Sequence, residues 1–500
     1  MTTETDRPAL DDRRWKALGV CLTAGFISLL DVSIVNVALP SMERGLGASE
    51  ATQSWVVSGY ALAFGLALAP AGRLGDLRGR RQALLIGLGV FTAASMACGL
   101  APGPAWLVVF RMIQGAAAGV VAPQTSGLIQ QMFQGAERAR AFGFHGSVIA
   151  VSTAVGPLVG GLLLHASGTD DGWRWVFFVN VPIGVAALVA GHRLLPRLPV
   201  PSGKREKFDP VGVLLLGAGV LALLLPLVQE QQWQGRAKWL LLPLGALLLG
   251  AFWMWERNRD RRGDAPLVDL GLFSLRSFTL GTLISLTFFG GLTTIFFVLS
   301  LFLQNSVGYS PLAAGVTILP FAAASAVGAA FGGRLVMRYG RGLVVIGLSG
   351  VALGLLGVVL AVQLVPGEGV GWAMALPLLI GGIGSGLTVS PNTTLTLTLV
   401  PVRRAGAAGG VMQTGQRIGS SVGIAVVGAV YFAHLANHGR ATTALQLGLL
   451  TAVAIILVAL ALAVADLRER REHPDDDGPA VTPWDGVGES GAGEKAGQGV

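Results

Sequence analysis

Long apolar runs, separated by short polar or Gly- and Pro-containing breaks, recur along the whole 500-residue chain. A run of about twenty residues is what an α-helix needs to cross roughly 30 Å of hydrocarbon, where backbone groups must find their partners within the segment. Marked off between the breaks, the runs are 17–40, 53–71, 83–101, 105–128, 143–165, 173–192, 210–228, 239–255, 278–301, 312–332, 343–364, 371–392, 405–433 and 443–465. The pattern predicts an all-α integral membrane protein with fourteen transmembrane helices. Residues 1–16 form a polar tail with no signal-peptide character. Residues 467–500, charged and rich in Gly and Pro, are expected to be disordered.

The basic residues give an independent check, because positive charge is retained on the cytoplasmic side of short loops. With both tails and every second loop taken as cytoplasmic, those segments hold 29 of the 36 lysines and arginines, and the opposite loops hold 5 when Arg174, at the outer end of the sixth span, is counted with them. Arg111 and Arg417 fall inside spans. A missed or spurious span would scramble this alternation, so both termini are expected on the cytoplasmic side of the membrane.

The chain also repeats itself. "GRLGDLRGRR" (72–81), between the second and third spans, is echoed by "GRLVMRYGRG" (333–342), between the tenth and eleventh. The offset of eight spans predicts two six-helix halves, 17–192 and 278–466, joined by a segment, 193–277, that carries two extra helices.

Composition agrees: 52% of residues are hydrophobic and 13% charged, against roughly 25% charged in a soluble domain. The 72 glycines suit close helix packing in lipid. A net charge of +8 would allow nucleic-acid binding, but the basic residues are spread over short loops at the membrane surface, which argues against it. Cys21 and Cys98 lie within apolar spans and read as small buried hydrophobes. His434 and His438 have no carboxylate or cysteine beside them, so no metal is expected. Asp209, followed by Pro210, reads as a helix N-cap.

One acidic residue, Asp31 in "LLDVSIVNVALP", lies well inside a span, where a charge needs a partner or a function. It sits about 13 Å from the outer end of the first helix, and Arg111 sits about 8 Å from the same surface in the fourth, counting 1.5 Å per residue. The two are therefore expected to meet, with Gln114 on the same face as Arg111. Such a carboxylate can exchange a proton between the two sides; an inert pair that fixes the packing of helices one and four is the alternative. Arg417, with Gln413 one turn before it, is a candidate for the lining of a central cavity or a partner of helix-end carbonyls.

These segments resemble the major facilitator superfamily, and within it the fourteen-span drug:proton antiporters, over about residues 15–466. "LDVSIVNVALP" and "RMIQGAAAG" (111–119) are similar to the first- and fourth-helix motifs of that group, which implies proton coupling by Asp31 and Arg111. "GRLGDLRGRR" looks like the loop motif of the whole superfamily. The resemblance implies conformational gating by Gly72, Asp76, Gly79 and Arg80, with Gly333, Gly340 and Arg341 in the second copy, where Met337 replaces the acid. "GPLVGG" in the fifth span resembles the antiporter motif. It implies a helix bend at Pro157 with Gly143, Gly156, Gly160 and Gly161 packing tightly, although Ser152 stands at another of the motif's glycines. "WRWVFFVNVPIG" (173–184) and "FDPVGVLLL" (208–216) look like segments typical of the fourteen-span group.

Together these readings lead to a proton-coupled antiporter in the cytoplasmic membrane. It is expected to export a lipophilic drug, antibiotic or secondary metabolite by alternating access, driven by the proton gradient without a cofactor, and to act as a monomer. Asn36, Trp55, Tyr60, Gln413 and Arg417 are the candidate cavity residues. An uptake symporter is the alternative. No nucleophile with a base, phosphate loop or coenzyme motif suggests an enzyme.

Overall fold

The computed structural model describes residues 8–167, 170–197, 209–229, 233, 235–262, 266–367, 369–437 and 439–472. Among them are no strands and fifteen α-helices: α1 (Pro8–Leu46), α2 (Glu50–Arg78), α3 (Arg80–Gly99), α4 (Pro104–Met132), α5 (Gly135–Ser167), α6 (Trp173–Phe178), α7 (Asn180–Leu194), α8 (Pro210–Val228), α9 (Leu241–Arg261), α10 (Arg276–Asn305), α11 (Pro311–Tyr339), α12 (Arg341–Leu364), α13 (Val370–Thr398), α14 (Ala405–Ala436) and α15 (Ala441–Glu472). Counting α6 and α7 as one segment, fourteen are long and apolar enough to cross a membrane.

Many helices run past the apolar runs that mark them in the sequence, because polar turns continue a helix beyond the hydrocarbon with their heads in water. The segment read as an N-terminal tail is helical from Pro8. Arg14 pairs with Glu137 at 3.3 Å and Trp15 packs on Phe133, so this first turn is docked on α5 and the end of α4. At the other terminus, disorder was expected from 467, but α15 continues to Glu472 and Glu469 pairs with Arg276. Residues 1–7 and 473–500 lie outside the described residues.

Each half has its own apolar core. In the first it includes Leu84, Phe91, Val121 and Phe142 and runs on to Phe278, Leu397 and Met412 of the second; in the second, it includes Phe288, Val351, Leu355 and Ile456. The halves meet along α2 with α14 and α5 with α11. α8 packs against α2 and α14, and α9 against α8, so the extra pair lies beside the two halves. Asp209 caps α8 by accepting from the Gly212 amide at 3.0 Å, and its other oxygen accepts from Trp255 Nε1 at 3.0 Å and faces Arg259 at 3.6 Å.

The two motif copies sit where the chain turns tightly between neighbouring helices. Gly79 joins α2 to α3 with φ 101° and Gly340 joins α11 to α12 with φ 51°. A side chain disfavours these conformations, so the recurring glycine is required by the backbone. The end of the bundle that carries both turns is called the basic end below.

Candidate functional site

α1, α4 and α7 converge on one buried carboxylate. Asp31 is fully buried, and Arg111 Nη1 donates to its Oδ2 at 2.5 Å. Gln114 Nε2 and Asn180 Nδ2 each donate to its Oδ1 at 2.9 Å. Arg111 is in turn held by the Val56 carbonyl at 3.1 Å and Gln114 Oε1 at 2.8 Å, with its guanidinium 4.2 Å above the Tyr60 ring. All three groups facing Asp31 are donors, so both carboxylate oxygens are engaged as acceptors.

The sequence brings Asp31, Arg111 and Gln114 together by depth and helix face, and the structure places them in contact. It adds Asn180, which also donates to Ser95 Oγ at 3.1 Å. Asn180 is neutral and stands in the apolar stretch "FFVNVPIG", so no charge count points to it. Tyr60, a candidate cavity residue, is buried with this group instead, its hydroxyl donating to the Ser28 carbonyl at 3.0 Å.

At the basic end, Asp76 reaches across the two halves. Its carboxylate accepts from Arg80 Nε and Nη2 at 3.0 and 2.7 Å, and from the backbone amides of Gly406 and Ala407 at 3.0 and 2.9 Å. Those amides open α14, so the acid meets both unpaired donors and the positive end of a helix dipole. Arg80 also donates to the Gly127 carbonyl at 2.7 Å and to the Val402 carbonyl. Gly72 lies under this latch, where a Cβ would fall on the Gly406 carbonyl oxygen.

The second copy is built differently. Arg341 pairs with Asp466 of α15 at 2.5 Å and also meets Asn392 Oδ1 and the Ser277 carbonyl, so its ion pair stays within the second half. Asp466 lies just past the fourteenth apolar run and Glu256 just past the eighth, so neither stands inside a span as Asp31 does, yet both are buried. Gly333 crosses to the first half: a Cβ there would meet the Ala139 carbonyl and lie 2.8 Å from Gly143 Cα, and Val336 shares an apolar cluster with Ala139. Gly143 and Gly333, assigned to different motifs by sequence, thus form one close seam between α5 and α11.

Farther along α5, which stays helical through Pro157, a Cβ at Gly156 would strike Ser33 Oγ. One at Gly160 would lie 3.0 Å from Ile34 Cγ1. Gly161, expected to pack tightly as well, has open space beside it. Its position in the helix turns it away from α1.

Of the other cavity candidates, Asn36 and Trp55 are exposed on α1 and α2, and Gln413 Nε2 donates to Ser126 Oγ at 3.3 Å. The Arg417 guanidinium lies 4.4 Å from the centroid of the Phe64 ring. Of the two histidines, His438 lies outside the described residues.

The architecture, the repeated loop motif and the buried ion pair can be set beside known proteins. A family model described as the Major Facilitator Superfamily matches residues 21–424. The chain belongs to the major facilitator superfamily. This facilitator is therefore a multi-pass membrane transporter and not an enzyme. It is 38% identical over 433 residues to the "Probable actinorhodin transporter" of Streptomyces coelicolor, covering 86% of this chain and 74% of that one. It is 35% identical over 496 residues to the "Puromycin resistance protein pur8" of Streptomyces alboniger, covering 95% of each. It is 33% identical over 445 residues to the "Tetracenomycin C resistance and export protein" of Streptomyces glaucescens, covering 86% of this chain and 80% of that one. The solved structure of the proton:xylose symporter XylE shares the facilitator's fold, with a TM-score of 0.64 at 16% identity over 89% of this chain and 95% of that one.

Proposed function

We propose that the protein is a proton-coupled antiporter that exports a lipophilic antibiotic or related small molecule across the cytoplasmic membrane by alternating access. The observation that carries the coupling is Asp31, a carboxylate fully buried among three donors from two other helices. The export direction is supported by relatives named for transport of or resistance to actinorhodin, puromycin and tetracenomycin C. The concentration of lysine and arginine in its loops supports a cytoplasmic position for the basic end and for both termini.

In this reading, the half formed by α1–α7 rocks against the half formed by α10–α15. The Asp76 latch and the Gly143–Gly333 seam close the cytoplasmic end, as in the structure. Protonation of Asp31 removes the negative charge that holds Arg111, Gln114 and Asn180 in one arrangement. The bundle is thereby biased toward its other state, and release of the proton to the cytoplasm restores the arrangement.

The test uses inside-out vesicles containing wild-type or Asp31→Asn protein and a fluorescent lipophilic substrate. Wild type is expected to accumulate substrate when the lumen is acid, whereas Asp31→Asn, at equal abundance and thermal stability, loses the response to the gradient but retains substrate exchange. Undiminished gradient-driven accumulation by the variant would end the coupling role. Accumulation in the direction of proton flow would identify a symporter.

A further inference from the structure

Arginine side chains buried in this bundle come with an aspartate. Arg80 has Asp76, Arg111 has Asp31 and Arg341 has Asp466, and the half-buried Arg259 has Asp209. Arg417 differs. It lies twelve residues into α14, about 18 Å along the helix at 1.5 Å per residue, and therefore near the middle of the hydrocarbon. Among the described residues it has neither a carboxylate nor a hydrogen-bond acceptor, and its one close partner is the face of Phe64. Gln413, one turn away, spends its amide donor on Ser126 and the Ala122 carbonyl, both on α4. These two side chains accordingly face the first half, between α2 and α4, and not the lipid.

A guanidinium held over a ring by cation–π attraction has no lone-pair acceptor there for its N–H donors. Those donors form a planar fork that matches a carboxylate. A cation at this depth without a counter-ion is unfavourable and marks a place where an anion is received. Resting on the proposed export function, we infer that Arg417 binds the ionised acidic group of the exported compound, so that the preferred substrates are lipophilic acids.

The surroundings join this position to the proton site. Arg111 lies 4.2 Å over Tyr60, Tyr60 stacks on Phe64 at 6.3 Å with 19° between the planes, and Arg417 lies 4.4 Å over Phe64. Two guanidiniums therefore cap the ends of one aromatic pair, the first holding Asp31 and the second facing the incoming acid. Export of an anion against entry of a proton also moves two charges in the direction favoured by an inside-negative membrane, where a neutral substrate would move one.

The probes are pyrenebutyric acid and its uncharged methyl ester, and the readout is fluorescence binding to purified full-length protein, followed by transport in proteoliposomes. Wild type is expected to bind the acid at least tenfold more tightly than the ester. Arg417→Gln should lose at least tenfold for the acid and less than threefold for the ester. Arg417→Lys, which keeps the charge without the fork, should recover part of the loss, and the thermal midpoints of all three proteins should agree within a few degrees. Binding of neither probe, no acid preference in wild type, or equal losses for acid and ester in Arg417→Gln overturns the inference. The export reading fails separately: acid-selective binding that depends on Arg417, with no gradient-driven movement of either probe, would refute export and leave the acid site standing.

Discussion

Replacing Asp76 by Asn should open the basic end, and the structure sets the size of the effect. The Arg80–Asp76 contact is local, four residues apart within the first half, so rocking of the halves does not require it to break. What is lost on opening is the pair of bonds from the Gly406 and Ala407 amides to the carboxylate, together with the Arg80 bond to Val402. Amide bonds to a charged acceptor are worth about 1.5–3 kcal/mol each, and bonds to a neutral one about 1. An Asn oxygen retains at most a neutral version of them and loses the charge–dipole attraction of roughly 0.5–1 kcal/mol. The closed state should therefore weaken by about 2–3 kcal/mol, a shift of about 30- to 150-fold between the two states. Ser126, buried opposite Gly409 on α14, reports that shift when changed to Cys, because the native Cys21 and Cys98 are both buried. In membranes, alkylation of Ser126→Cys by N-ethylmaleimide should accelerate by one to two orders of magnitude when Asp76→Asn is added. An unchanged rate in a folded double variant would refute the idea that the latch holds this end closed.

Asp466→Asn should act on stability and not on the closed-to-open balance, since Arg341 would then be left buried without its counter-charge. Breaking such a pair costs about 3–5 kcal/mol, and a large fall in the thermal midpoint of purified protein, with Ser126→Cys labelling unchanged below the transition, is the expected result. The glycines should separate by their surroundings: Gly333→Val, aimed at the Ala139 carbonyl, should block closure and abolish transport, whereas Gly161→Ala, facing open space, should leave both transport and stability near wild type. Transport assays and thermal unfolding on the same preparations check both.

The fold was legible because lipid imposes a single rule on every segment. An apolar run of sufficient length has to be a helix, and loop charge then orders the runs. What that rule does not reach is the helix beyond the hydrocarbon, hence the polar turns of α1 from Pro8 and of α15 to Glu472. At the ion pair, Asp31 and Arg111 were found because opposite charges at equal depth are informative in a sequence. Asn180 was not, since a neutral amide in an apolar run carries no such signal. Asp466 was hidden by its place at the edge of a run, and the stack of Arg111, Tyr60, Phe64 and Arg417 has no spacing that a single helix would reveal, because it joins α4, α2 and α14.

The two copies of the loop motif show what duplication leaves free to change. The first copy spends its acid on the opposite half, in bonds that must be made and undone at every turnover. The second has Met337 at that position, pairs its arginine with an acid from α15, and holds that arginine inside its own half, while it meets the first half by packing alone, through Gly333 and through Val336, which shares an apolar cluster with Ala139. The two copies thus serve as a fastener and a brace. Each is open to different change: the fastener can be tuned in strength to set how long the protein waits between states, and the brace can be altered only by replacing both of its charges together.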